Sequence, residues 1–237
     1  MQSIIGKMVK ADKEFKLIKN GDVIAVGVSG GKDSLVLLEG LCRLKKFLKY
    51  NISIIAITVD MGLDSNLQYD VVYDICGRYD ISYIVEKTNI GNLVFNIRRE
   101  ARPCSLCSKM RKGVINSIAK EKGCNKVAFG HNFDDVIETF IMNLFAEGRI
   151  SCFSPITYFS NNDLYLIRPL VFAAECDIKK ALKSLKLTAI KNSCPADGNT
   201  YRQVVKNFLE QQQLKDSGFK SRIFAALRGS GINGWGR

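Results

Sequence analysis

Short apolar runs alternate along this chain with segments whose apolar positions recur at helical spacing. The run Asp22-Val23-Ile24-Ala25-Val26-Gly27-Val28 is nearly continuous and β-branched, which predicts a buried strand, and Leu35–Leu48 follows with the spacing of an amphipathic helix. Ile52–Val59 predicts a second strand, Leu67–Arg78 a helix, Tyr83–Val85 a short strand and Val114–Lys122 a helix. Lys126–Phe129 reads as another short strand and Val136–Phe145 as a helix. After Gly148 the pattern weakens: Leu164–Ile167 predicts a strand, and Glu175–Leu185, Tyr201–Leu214 and Ser221–Leu227 predict helices. Strand and helix alternating in this way imply right-handed crossovers, hence an α/β fold with a doubly wound, mainly parallel sheet and a helical C-terminal segment. Residues 1–20 are expected to form a basic N-terminal helix, 21–228 one domain, and the glycine-rich 229–237 a mobile tail. Ligands of open sheets bind beyond the carboxyl ends of the strands, and Gly30, Cys104 and His131 all fall just after strands or in the connecting loops.

A chain of 237 residues, 46% apolar and 24% charged, suits one sizeable folded α/β domain and excludes a disordered class. No apolar run approaches the roughly 18 residues of a membrane span. The opening MQSIIGKMVKADKEFKLIKN is broken by lysines and acids and has no signal-peptide core, so a cytoplasmic location without a membrane partner is expected. The net charge of +12 favours a polyanionic partner, since neutralising phosphates releases condensed counterions. Basic residues cluster at Arg98-Arg99-Glu100-Ala101-Arg102, at Lys109-Met110-Arg111-Lys112 and along Lys179–Lys186, and for any single cluster a solvated helix face is the simpler reading.

The strongest chemical signal is Val28-Ser29-Gly30-Gly31-Lys32-Asp33-Ser34 between a strand and a helix. Adjacent glycines let the backbone approach an anion, and the helix start offers free amides at its positive end. Asp33 follows the lysine where a Walker loop needs Ser or Thr, and Gly27 and Gly30 lie too far apart for the dinucleotide fingerprint. The motif resembles the PP-loop of the ATP pyrophosphatase superfamily. That resemblance implies an adenine nucleotide alpha hydrolase-like fold in which the loop holds the β and γ phosphates of ATP, with Ser29, Gly30, Gly31, Lys32, Asp33 and Ser34 as its residues. It also places the adenosine at the end of the second strand, on Val59 and Asp60.

A further patch, Gly130-His131-Asn132-Phe133-Asp134-Asp135, opens a helix after a strand. Carboxylates beside phosphate chemistry suit Mg²⁺, which takes carboxylate and phosphate oxygens together. Asp33 and Asp134 are therefore expected to hold Mg²⁺ or position the reacting groups, with Gly130, His131 and Asp135 against the nucleotide. The tRNA-thiolating PP-loop enzymes carry a similar pattern.

Five of the eight cysteines, Cys42, Cys76, Cys124, Cys152 and Cys176, stand singly and are expected to pack as small hydrophobes. Cys104-Ser105-Leu106-Cys107 and the distant Cys194 differ. A C-x-x-C pair holds zinc, an iron–sulfur cluster or a redox disulfide. Structural zinc wants four ligands, and His131, which would complete the set, belongs to another motif. A thioredoxin-like pair follows the first strand, which this one does not. Three thiolates suit a [4Fe–4S] cluster with one iron open.

The string Ala101–Gly113, the stretch Gly130–Asn143, Ile167-Arg168-Pro169-Leu170, and Cys194 followed by Asn199 and Tyr201-Arg202-Gln203 resemble the tRNA-cytidine 2-sulfurtransferase (TtcA-like) family from about Gly21 to about Leu227. The resemblance implies a [4Fe–4S] cluster on Cys104, Cys107 and Cys194 beside the ATP site and thiolation of cytidine at tRNA position 32, and it is compatible with a homodimer. Arg111 is then expected to steady charge on the α phosphate, and a separate sulfur donor such as a cysteine desulfurase is needed. The family's G-H-H-x-D-D is G-H-N-x-D-D here, which drifts toward the related tRNA-uridine thiolases; those carry extra C-x-x-C pairs that this chain lacks. Uridine thiolation, a PP-loop ligase without thiolation, and a metal-containing RNA-binding module are the competing expectations.

Overall fold

The computed structural model describes residues 1–47, 51–64, 68–98, 103–190, 194–196, 198 and 200–236. The expectations that fall on Leu48, Leu67, Arg99, Glu100, Ala101, Arg102 and Asn199 lie outside the described residues.

A six-stranded sheet in the order β3-β2-β1-β4-β6-β5 forms the centre. Its strands are β1 (Val23–Gly27), β2 (Ser53–Asp60), β3 (Ser82–Lys87), β4 (Lys126–Ala128), β5 (Ile156–Phe159) and β6 (Leu164–Ile167). β1 pairs in parallel with β2 and β4, β2 with β3, and β4 with β6; only β5 runs antiparallel, against β6. The strand order reverses direction at β1, so a crevice opens between the carboxyl ends of β1 and β4, where open sheets bind ligands.

The helices are α1 (Gln2–Phe15), α2 (Lys32–Phe47), α3 (Asp70–Tyr79), α4 (Ile90–Asn92, continued by a π-helical turn to Ile97), α5 (Pro103–Glu121), α6 (Phe133–Glu147), α7 (Glu175–Ser184), α8 (Tyr201–Lys215) and α9 (Phe219–Gly229). The period-two alternation of β1 decides which helices meet which face. Ile24 and Val26 point into the larger core shared with α1, α2, α3, α6, α7, α8 and α9, while Ala25 points into a smaller core with Ile115, Ile118 and Ala119 of α5. α5 thus lies on one face of the sheet, directly behind the crevice. No described helix is long and apolar enough to cross a membrane.

Four features differ from the sequence reading. The helix expected from Val114 begins at Pro103, so the C-x-x-C pair lies in its first turn rather than before it. β5 was not foreseen; Tyr158 in it is half exposed and stacks on Tyr165 across the strand pair, so its sequence lacks a buried run. Cys42, Cys76, Cys124 and Cys152 are buried as expected, whereas Cys176, in the first turn of α7, is exposed. The tail expected to be mobile ends in an anchor: Trp235 is fully buried among Phe15 and Phe224, and its Nε1–H donates to the Phe153 carbonyl at 2.7 Å.

Candidate functional site

The loop between β1 and α2 is knitted by its own serines. Ser34 Oγ donates to the Gly31 carbonyl at 2.9 Å and accepts from the Ser29 amide at 3.2 Å. Ser29, Asp33 and Ser34 line a cavity of about 260 Å³ in the crevice, together with Val59 from the end of β2. Gly30 adopts φ +77°, and a Cβ there would run into the Ile190 side chain, whose amide donates to the Gly30 carbonyl at 2.9 Å. Gly30 is therefore needed for a left-handed turn and for the chain that lies over it. Lys32 turns from the cavity to Asp33 (2.9 Å) and Glu175 (3.2 Å). Burial opposes its charge, but those carboxylates outweigh it and raise its pKa. Glu175 also takes Lys206 at 2.9 Å, and although burial works the other way, its cationic partners bring its pKa down to about 2. Asp60 does not line the cavity: its carboxylate accepts the Gly62 amide at 2.9 Å and fixes the strand end.

The turn between β4 and α6 presses on this loop. A Cβ on Gly130 would sit 3.0 Å from the Asp33 carbonyl carbon, so any other residue would crowd the phosphate-loop backbone there. Asn132, 3% exposed, is the N-cap of α6 in a reciprocal capping box with Asp135. Asp134, expected to face the phosphates, points elsewhere. One oxygen accepts the Glu175 amide at the start of α7 (2.7 Å) and the other takes Lys220 of α9 (2.8 Å). Asp135 is the carboxylate that reaches the cavity. Burial and then the nearby Asp33 charge raise its pKa, while the Asn132 amide (3.0 Å) and Arg202 (3.2 Å) hold against them. Arg202 also bonds Glu138 at 3.1 Å, and burial lifts Glu138 to about 7. Neither Arg202 nor Glu138 carries a local sign of this role, because the contact joins α8 to α6 across more than sixty residues.

The opposite wall is cationic. Arg111 and Lys112 of α5 line the cavity with His131 and Ser108, so of the Lys109–Lys112 cluster only Lys109 is exposed to solvent. Burial lowers the Lys112 pKa, and the charges of Arg168 and Arg111 lower it further. Arg168, 5% exposed at the end of β6, stacks over Phe153 and donates to the Ser154 carbonyl. His131 sits between Phe129 and Phe153, its Nδ1 buried without a partner; burial first, then Arg168, Lys112 and Arg202, pull its pKa to about 3. A neutral ring and two cavity-lining cations on this wall suit an anionic or carbonyl-bearing ligand.

The thiols stand at the rim of the same wall. Cys104 is exposed, Cys107 buried and Cys194 half-buried. Burial pushes the Cys107 thiol up, Arg111 opposes it, and Cys194 and Cys104 both lie close enough for their charge to push it up again. Cys107 touches the Met61 thioether at 3.3 Å within a small apolar cluster of Ile90, Val94 and Met110. The structure thus brings Cys104, Cys107 and Cys194 into one electrostatic neighbourhood, one helical turn from Ser108 and Arg111.

A serine–glycine loop and a carboxylate-bearing helix start, flanking the switch point of a parallel sheet, define a nucleotide site of the PP-loop class. The PP-loop domain family matches residues 3–213. The tRNA-cytidine(32) 2-sulfurtransferase of Ralstonia pickettii is 33% identical over 230 residues, covering 96% of this chain and 72% of the relative. That of Syntrophotalea carbinolica is 34% identical over 224 residues, covering 92% and 85%. The chain belongs to the PP-loop domain family and, within it, to the family of these TtcA-like sulfurtransferases. Among solved structures, the U34-tRNA thiolase NcsA from Methanococcus maripaludis with its [4Fe-4S] cluster superposes with a TM-score of 0.76 at 27% identity, covering 93% of this chain and 76% of that one.

Proposed function

We propose that the chain is an ATP-dependent tRNA sulfurtransferase that adenylates the C2 carbonyl oxygen of cytidine 32 and replaces that oxygen with sulfur. The observation that carries this reading is the sharing of one helix. α5 holds Cys104 and Cys107 in its first turn, with Cys194 beside them, and sends Ser108, Arg111 and Lys112 into the cavity that Ser29, Asp33 and Ser34 line from the other side.

In the first step the pyrimidine O2 attacks the α phosphorus, the bond to the β-phosphate oxygen breaks, and pyrophosphate leaves. Ser29 and Ser34 hydroxyls and the amides at the start of α2 bind the departing phosphates, with Gly30 and Gly31 shaping the loop. Arg111 and Lys112 meet the negative charge that builds on the α phosphate. Asp33 and Asp135 are the carboxylates placed to hold Mg²⁺, which would neutralise the triphosphate. Val59 borders the adenosine. Sulfide-level sulfur then attacks C2 and the C2–O bond breaks, releasing AMP, a far better leaving group than the bare oxygen.

Cys104, Cys107 and Cys194 fit a [4Fe–4S] cluster. Among the described residues no three His, Cys, Asp or Glu side chains converge as a single ion requires. A cube of iron and sulfide holds its thiolates farther apart than one ion does, and Ile90, Val94 and Met61 give it an apolar floor beside Cys107. When bound, the cluster would supply an open iron for sulfide. The sulfur itself comes from a donor such as a cysteine desulfurase. The basic surface suits tRNA, and an anticodon-loop base is readily unstacked.

Uridine thiolation is the second reading, favoured by the Asn132 departure and by the likeness to a U34 thiolase. Mass spectrometry of tRNA nucleosides from cells lacking this chain separates the two. Loss of 2-thiocytidine supports the first reading, loss of a 2-thiouridine the second, and an unchanged set of thionucleosides defeats both.

A further inference from the structure

We infer that Asn132 is a positioning residue that fixes the carboxylate of Asp33 in the cavity, and that this task, rather than helix capping, is what requires an amide at this place. The inference deepens the reading above and rests on it for its activity measurement.

Every polar atom of Asn132 is engaged. Its Oδ1 accepts the amides of Asp134 at 2.9 Å and Asp135 at 3.1 Å, its own amide donates to Asp135 Oδ2 at 3.0 Å, and its Nδ2 donates to Asp33 Oδ1 at 2.9 Å. The first three bonds make an N-cap, which Ser, Thr or Asp would make as well. The fourth does not serve the helix at all. It crosses from the β4–α6 turn to the phosphate loop and takes one oxygen of Asp33, while Lys32 takes the other at 2.9 Å.

Lys32 is a poor positioning device on its own, being a long side chain shared with Glu175 at 3.2 Å. Asn132 is short and 3% exposed, held by two backbone amides, so its Nδ2 has one place to be. Gly130 eases the approach, because a Cβ there would meet the Asp33 carbonyl carbon at 3.0 Å, tighter than ordinary contact. An aspartate at 132 would cap α6 but set a second carboxylate against Asp33. A serine would cap and donate nothing to it. A histidine, the residue of the G-H-H pattern, has one ring nitrogen to accept and one to donate and fulfils both tasks.

The variants Asn132→Ser, Asn132→Asp, Asn132→Ala and Asn132→His of the full chain, assayed for tRNA-dependent pyrophosphate release, separate positioning from capping. With Ser the cap remains, so the melting temperature is expected within about 2 °C of the native value. Its kcat is expected to fall on the order of 10²-fold, the cost of misplacing a reacting group. The KM for ATP should change by less than about threefold, since loop binding is intact. Asp should lose at least as much, Ala should lose stability as well as kcat, and His should restore most of the rate. A Ser variant with native kcat, or losses that merely track melting temperature, overturns the inference. If the native chain releases no pyrophosphate on tRNA, the proposed function fails by itself, and positioning is then read from the ¹³C resonance of the Asp33 carboxyl, assigned with Asp33→Asn. A resonance that moves in the Ser variant and returns in the His variant supports the inference; one that stays in place refutes it.

Discussion

His131 and Glu138 are perturbed with opposite consequences for stability. The folded chain holds His131 neutral down to about pH 3, against an ordinary value of 6.5, because burial and the cations Arg168, Lys112 and Arg202 resist a further positive charge. Between those values the unfolded chain binds more protons, so this residue makes stability fall as pH drops from 6.5 toward 3. Glu138, raised by burial from 4.5 to about 7, does the reverse: the folded chain binds more protons in that window, and stability is lost as pH rises through 7. Denaturant titrations across pH 4–8 are expected to show His131→Gln flattening the loss of stability on the acid side and Glu138→Gln flattening the loss as pH rises toward 7; unchanged profiles refute these assignments. At this scale the sequence offered candidates without their directions. Asp134 and Asp135 are adjacent on α6, so they point about 100° apart, and which one meets the cavity depends on where α7 and α9 lie. Lys220, which claims Asp134, is 86 residues away. Lys112 likewise reads as surface charge until the axis of α5 is known.

Asp134 acts between elements. Its carboxylate caps α7 through the Glu175 amide and pins α9 through Lys220, with side-chain exposures of only 12% and 17% for the ion pair. Asp134→Ala strips both helices of this partner and leaves a largely buried lysine, which is expected to cost about 3 kcal/mol in denaturant unfolding. Its effect on kcat should be no more than that loss of fold explains; a severe kcat defect at native stability would return Asp134 to the chemistry. Trp235→Ala, six residues beyond the end of α9, is expected to cost about 3 kcal/mol or more by the same measurement, since a fully buried indole and its bond to Phe153 disappear together. The glycines before Trp235 concealed this anchor, because flexible composition says nothing about one aromatic that finds a pocket. Pro103 at the start of α5 was a readable helix signal, but the basic run after the cysteines lacks an apolar stripe, so periodicity placed the start eleven residues late. The four inner parallel strands were legible throughout, since each is a short buried run between clear turns.

Across the whole molecule the surplus of 35 basic over 23 acidic residues sets how the chain meets a polyanion. Lys179, Lys180, Lys183 and Lys186 are all exposed, as a solvated face requires. Affinity for tRNA is expected to fall on the order of 10²-fold between 50 and 200 mM monovalent salt, measured by filter binding. A flat salt profile would remove phosphate contact as the source of binding. The order of the sheet was readable as a class but not as a map. Nothing local tells β4 to lie beside β1, yet that neighbour relation is what sets Gly130 on Asp33.

The bond from Ile190 to Gly30 limits how far two distant pieces of chemistry can part. Only four peptide links run from Ile190 to Cys194, and a fully stretched chain spans at most about 3.6 Å per residue. The Cα of Cys194 thus stays within about 14 Å of that of Ile190, whose amide is fastened to the bend at Gly30. A displacement of that bend larger than the slack in those four links would be passed on to Cys194, so in the proposed reaction the phosphate loop and the third thiol would share one mechanical train.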